Sequence, residues 1–151
     1  ALIQGVTQSG AGRSAGAMSE SALSRPFDRI LLDAPCSGLG VLRRHPDGKW
    51  YKTPNDITQH RLLQRELLAE TSRLLRPGGG LVYSSCSIEP EETESIIDEF
   101  CQSHREFQRE SIAPWLPPAG LPFVTPRGDL STMANMNRMD AFFAARVRRS
   151  E

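Results

Sequence analysis

The segment Arg29 to Pro35 reads RILLDAP, and its apolar centre, Ile30-Leu31-Leu32, is too short for a helix and is closed by Asp33-Ala34-Pro35. It predicts a strand buried on both faces, of the kind found in parallel sheets covered by helices. The downstream residues supply such a helix. Thr53-Pro54-Asn55-Asp56 gives a cap, a proline at the first helical position and an acidic first turn. Apolar residues then recur at Ile57, Leu63, Leu67, Leu74 and Leu75, so an amphipathic helix is expected, stopped by Arg76-Pro77-Gly78-Gly79-Gly80. The next residues, LVYSSCS from Leu81 to Ser87, have the β-branched and aromatic content of a second interior strand. Strand, long helix, glycine turn and strand make a βαβ unit.

Pro90, Glu91 and Glu92 open a further helix with Thr93, Ile96, Ile97, Phe100 and Cys101 on one side. Residues 112–131 are proline-rich and read as irregular, while Asp140 to Val147, DAFFAARV, reads as a final strand. Residues 7–26 are rich in Ser, Gly and Ala without an apolar period. The expected division is therefore a flexible linker over 1–26 and a single folded unit over 27–151.

Eighteen basic residues balance eighteen acidic ones in the 151-residue chain, so any nucleic-acid partner has to be held locally rather than by overall charge. No apolar run approaches the roughly 20 residues needed to span a bilayer, and a soluble, cytoplasmic protein is expected. Three cysteines with long, unequal gaps fit neither a disulfide framework nor a C-x-x-C metal site. No metal ligand set is expected, and His60 and His104 read as structural or exposed.

Two of the cysteines hold matching positions, each just past the carboxyl end of a predicted interior strand: Cys36 in DAPCS and Cys86 in SSCS. Ligands bind at that edge of open α/β sheets, and loops leading into helix N-termini favour thiolates. The pattern allows two readings: facing reactive thiols with Asp33 beside them, or small buried hydrophobes with Asp33 capping a turn amide. Cys101, on a helix's apolar face, reads as core. Arg43, Arg44, His45, Lys49 and Trp50 combine basic side chains with an aromatic, which suits phosphate and base contacts or a solvated loop. Glu89, Glu91 and Glu92 read as acids favouring a helix N-terminus rather than as metal ligands.

The order Asp33-Ala34-Pro35-Cys36-Ser37-Gly38, Arg44-His45-Pro46-Asp47 with Lys49-Trp50, Arg76-Pro77-Gly78-Gly79, Tyr83-Ser84-Ser85-Cys86-Ser87 and Glu89-Glu91-Glu92 closely resembles the RNA 5-methylcytosine methyltransferases of the Sun/Fmu type. The resemblance runs from about Phe27 to Val147, and is strongest to the enzymes acting on 16S ribosomal RNA. It implies an α/β fold: the second half of a class I, Rossmann-like methyltransferase sheet, mostly parallel with an antiparallel last strand. It also implies an S-adenosylmethionine-dependent enzyme whose partner is RNA. In that family the later cysteine, here Cys86, adds to carbon 6 of cytosine, and the proline-linked cysteine, here Cys36, assists release. Asp33 meets the ring near N3, and Asp33 and Pro35 are carried over as the part of the cofactor site present, with Arg43, Arg44, His45 and Lys49 on the RNA.

The match has departures. Ala141 stands where the family usually has glycine before Phe142-Phe143. The Gly-rich loop that holds the methionine end of the cofactor, and the acid that holds its ribose, have no counterpart; Gly10-Ala11-Gly12 has no strand before it. The first three strands, most of the cofactor site and any N-terminal RNA-binding domain are thus expected to be missing. An exposed edge open to self-association would result. Two alternatives stand beside the transferase: a non-catalytic remnant binding RNA or a partner, and a thiol acyl transferase, which would need a base near Cys86.

Overall fold

The structure, a computed structural model, describes residues 2–4, 26–137 and 139–151. Most of the expected linker therefore lies outside the described residues. Within it, Leu2–Gln4 forms a short strand, β1, parallel to the end of β2 (Phe27–Asp33) through Leu31, Leu32 and Asp33, which corrects the expectation that no strand precedes Gly10-Ala11-Gly12. A parallel pairing of β2 with β3 (Leu75–Ser85) forms the centre, with Ile30 opposite Leu81, Leu32 opposite Tyr83 and Asp33 opposite Ser84. Helix α1 (Pro54–Arg73) makes the crossover between them.

Its first turn is built as its residues predict. Thr53 Oγ1 accepts from the Asp56 amide, and the Thr53 amide donates to Asp56 Oδ2 at 2.7 Å, a capping box worth about 1 kcal/mol. The buried stripe differs from the expected one: Gln64, Leu68, Thr71 and Ser72 face inward, Leu67 packs partly against the core and Leu63 is left exposed. Glycine is not what ends the helix. Leu75 is already buried in the sheet opposite Phe27, whose amide donates to Leu74 O at 2.7 Å, so the chain leaves the helix after Arg73. Arg76–Gly80 belongs to an irregular lead-in of β3, where Leu75 to Gly80 opposes only Phe27 to Arg29.

Helix α2 (Glu94–Ser103) comes after a helical turn over Pro90–Glu92 and buries Ile96, Ile97 and Phe100 against the same sheet face as α1. The final strand, β6 (Phe142–Arg149), lies two residues later than expected and runs antiparallel to β3. Its other edge carries β4 (Phe107–Glu110) and β5 (Leu130–Thr132), both antiparallel and neither expected; the short helix α3 (Ala134–Asn137) connects β5 to β6. The α/β sheet with a parallel centre and an antiparallel last strand is thus observed, in the order β1-β2-β3-β6-β4 with β5 beside β6. The 112–131 segment is mostly short helical turns, as its prolines suggest, apart from β5.

Ile30, Leu32, Leu81, Tyr83, Ala145 and Val147 form the helix-covered face. The expectation that β2 is buried on both faces is corrected here: its burial alternates, and Leu31 is 40% exposed. The reason is that both helices lie on one side. On the other side the Trp115 ring is in cation–π range of two guanidinium groups, 5.0 Å from that of Arg29 and 4.6 Å from that of Arg146. Gly80 makes room for this arrangement, since a Cβ there would lie 2.8 Å from Arg146 Cζ. A cavity of about 750 Å³ on this side is lined by Arg29, Arg76, Trp115, Arg146 and Arg148 among others. Among the described residues no helix is long and apolar enough to cross a membrane.

Leu81, fully buried between the helices and the sheet, should cost about 2–5 kcal/mol when replaced by alanine. Leu31→Ala, on the open side, should cost less than about 1 kcal/mol. Urea unfolding of the two variants checks the contrast, and equal losses would show that both faces carry core.

Candidate active site around two cysteines

Because β2 and β3 are parallel and in register at Asp33 and Ser84, the loops after them emerge together at the carboxyl edge of the sheet. Cys36 Sγ and Cys86 Sγ lie 2.9 Å apart, both half-buried and both free thiols. The backbone is tied across the same place: the Gly40 amide donates to Cys86 O, and the Ala141 amide donates to Gly40 O, each at 2.9 Å. A side chain at Gly40 would fall 2.5 Å from Ala141 O and 2.6 Å from Cys86 O, so only glycine passes between them. Ala141 is buried at this junction, which brings the start of β6 against the thiol loops.

Beneath the sulfurs is a carboxylate that no solvent reaches. Glu92 is fully buried and accepts from the Ser37 amide at 2.8 Å, from Gln64 Nε2 at 3.2 Å, from Ser87 Oγ at 2.5 Å, and from Ser37 Oγ. Gln64 Nε2 also donates to Pro35 O at 2.8 Å, and Tyr83 OH donates to Glu92 O at 2.8 Å. The reading of Glu92 as an acid at a helix N-terminus missed this role. Its sequence position after Pro90 gives no sign of it, and Gln64 is hidden among the leucines of α1; only the matched Cys-Ser pairs hinted that something polar serves both loops.

A shared proton explains the electrostatics of the pair. Cys36 is held down to about 6, chiefly by the hydrogen bond from Cys86. Cys86 is pushed well up by its hydrogen bond to Cys36, by burial and by the neighbouring negative charge. At 2.9 Å the proton can sit on either sulfur, so the easy first ionisation belongs to the pair. Burial raises the Cys101 thiol, which sits apart against the core.

The remaining expected residues are distributed around this centre. Asp33 accepts from Ser84 Oγ at 2.9 Å and its charge is felt at Cys86. Arg44 pairs with Asp140 at 2.5 Å and Arg43 approaches it at 3.7 Å. His45 and Lys49 are exposed on the same loop, with Lys49 Nζ 4.6 Å from the Trp50 ring centre. Trp50 and Tyr51 stand 75% and 80% exposed, the latter not singled out by its sequence context. No cluster of metal-ligating side chains occurs among the described residues.

A mixed sheet whose helix crossover delivers two thiols to one edge defines an α/β unit with a two-thiol site, and comparison with known proteins gives the family. Residues 8–148 match the family model described as 16S rRNA methyltransferase RsmB/F, and the chain belongs to that family. It is 39% identical over 123 residues to a probable ribosomal RNA small subunit methyltransferase B of Synechocystis, covering 82% of this chain and 27% of that protein. It is also 39% identical over 131 residues to the Bacillus subtilis protein of the same description, covering 86% and 29%. Among solved structures, NSun6 from Pyrococcus horikoshii with SFG superposes with a TM-score of 0.70 at 27% identity, covering 87% of this chain and 32% of that one. A methyltransferase homologue from Pyrococcus horikoshii superposes with a TM-score of 0.65 at 31% identity, covering 85% and 41%. The chain spans less than a third of the length of the Synechocystis and Bacillus relatives.

Alkylation by iodoacetamide, measured residue by residue, should show the Cys36–Cys86 pair reacting with a half-rise near pH 6, because lowering the pKa exposes thiolate at lower pH. Cys86→Ala should return Cys36 towards the ordinary thiol value of about 8.5. A wild-type half-rise at that ordinary value would exclude the shared proton.

Proposed function

We propose that this chain carries the thiol part of the active site of a cytosine-5 methyltransferase acting on 16S ribosomal RNA. The observation that carries the reading is the pair of thiols 2.9 Å apart at the carboxyl edge, one after each strand of the βαβ unit. Family membership supports the substrate class.

Carbon 5 of cytosine is a poor nucleophile until a thiolate adds at carbon 6. With the shared proton on Cys36, Cys86 is the thiolate that attacks. The sulfur–carbon 6 bond forms, the carbon 5–carbon 6 π pair moves onto carbon 5 and by conjugation towards N3, and a proton held between Asp33 and N3 offsets the negative charge developing there. After carbon 5 is substituted its proton is lost to a base, the electron pair re-forms the double bond, and sulfur leaves carbon 6. Cys36, beside that sulfur, assists this release. Arg43, Arg44, His45 and Lys49 contact the RNA backbone, and exposed Trp50 and Tyr51 offer stacking surfaces for unpaired bases.

The methyl donor of this chemistry is S-adenosylmethionine, an analogue of which accompanies the NSun6 neighbour. The fit of the described residues to it is partial. Asp33 presents an exposed carboxylate at the strand end and Pro35 O already accepts one hydrogen bond, from Gln64, but among the described residues no glycine-rich cradle adjoins them. Asp33 and Pro35 alone do not make a site for the methyl donor.

In a full-length RsmB/F protein containing this chain, Cys86→Ala should fail to form a covalent adduct with RNA carrying 5-fluorocytosine. Cys36→Ala should accumulate one, visible as a shifted band on a denaturing gel. Exchanged outcomes would reverse the two roles. Absence of an adduct in the unmutated protein, with RNA binding retained, would favour a binding module.

A further inference from the structure

The fully buried carboxylate of Glu92 touches neither sulfur, yet it holds the neighbour of each. Oε2 accepts from both Ser37 Oγ and Ser87 Oγ, the residues next after Cys36 and Cys86. Oε1 accepts from the Ser37 amide and from Gln64 Nε2, and the same Gln64 nitrogen fixes Pro35 O, the residue preceding Cys36. The two serine hydroxyls lie 3.3 Å from each other. One group therefore joins the loop after β2, the loop after β3 and the middle of α1. Its own backbone is anchored by Tyr83 from inside the sheet.

Packing alone does not account for such a residue. A buried carboxylate is costly, and among the described residues no basic side chain is paired with Glu92; hydrogen bonds alone offset its burial. An apolar side chain would fill the space without that cost, but could not bind two loops to each other. From this juxtaposition we infer that Glu92 is a positioning residue that sets the distance between the Cys36 and Cys86 sulfurs by clamping Ser37 and Ser87. The inference rests on the methyltransferase reading only for its meaning in catalysis, since the distance itself is a property of the free protein. Asp33 from β2 and Tyr83 from β3 are the other titratable groups around the pair, and neither is bonded to the Glu92 side chain: Asp33 accepts from Ser84 Oγ, and Tyr83 OH donates to the Glu92 backbone carbonyl.

Two readouts on this chain, without RNA or methyl donor, test the clamp. The first is the equilibrium between the dithiol and a Cys36–Cys86 disulfide in glutathione buffers: two glutathione thiols are oxidised as the protein disulfide is reduced, and the reverse. It reports how closely the sulfurs are held. The second is the pH profile of alkylation, with Cys101 as internal reference. Glu92→Ala should lower the effective concentration of the thiols at least about tenfold and move the half-rise up by about one pH unit or more towards the ordinary thiol value. Glu92→Gln can still accept from the Ser37 amide and donate to a serine hydroxyl, and should stay near the unmutated protein. Ser87→Ala, which leaves Glu92 its other donors, should reproduce a part of the alanine effect if Glu92→Ala does not fold. Folded Glu92→Ala or Ser87→Ala with both readouts unchanged would overturn the inference. Glu92→Gln falling as far as Glu92→Ala would overturn the claim that geometry rather than charge is what Glu92 supplies. Neither result bears on adduct formation, so failure here and failure of the methyltransferase reading are separable.

Discussion

Everything at the carboxyl edge depends on one constraint, the in-register parallel pairing of Asp33 with Ser84. Parallel strands cannot be joined by a tight turn, so α1 has to cross the sheet. Their two exits then lie side by side, pointing the same way. A chain that continues three residues past Asp33 and two past Ser84 arrives at two cysteines in contact. Slipping β2 against β3 by one residue would turn Ile30 and Leu32 out of the core, so the hydrophobic layer guards the thiol geometry.

Register alone leaves the loops free to diverge beyond the last ladder hydrogen bond, and the polar layer below the sulfurs closes that freedom. Glu92, Gln64, Ser37 and Ser87 form a buried network in which each member restrains another. Gly40 adds a backbone staple between the Cys86 loop and Ala141 at the start of β6. The family's usual glycine at position 141 is thus replaced by a residue whose amide still makes the connection. These ties span three strands and a helix, which gives a site at a loop edge the rigidity of the sheet.

The strongly apolar runs were legible in the sequence. Ile30–Leu32 and Leu81–Tyr83 carry strand signals that no helical period competes with, and Thr53-Pro54-Asn55-Asp56 announces its helix by capping chemistry. The positions of Cys36 and Cys86 relative to those strands came directly from them. What was hidden depends on tertiary partners. Phe107–Glu110 buries fully only Phe107 and is a strand because β6 offers it an edge; Leu130–Thr132 is the same case. The inward face of α1 is rotated away from Leu63 because Gln64 is wanted by Glu92 and Pro35, a polar need that an apolar count cannot see. Glu92 itself has the same sequence surroundings as any acid in a first helical turn. The roles of Arg43, Arg44, His45 and Lys49 rest on the resemblance, since their charges alone suit a solvated loop equally well.

The open side of the sheet carries Trp115 in contact with Arg29 and Arg146 instead of a helix. Apolar burial and cation–π contact differ in what water does to them: the first vanishes when water enters, while the second survives partly wet. The molecule is therefore stabilised asymmetrically. One layer must stay dry for the strands to hold their register, whereas the other, with its arginine-lined hollow, tolerates water.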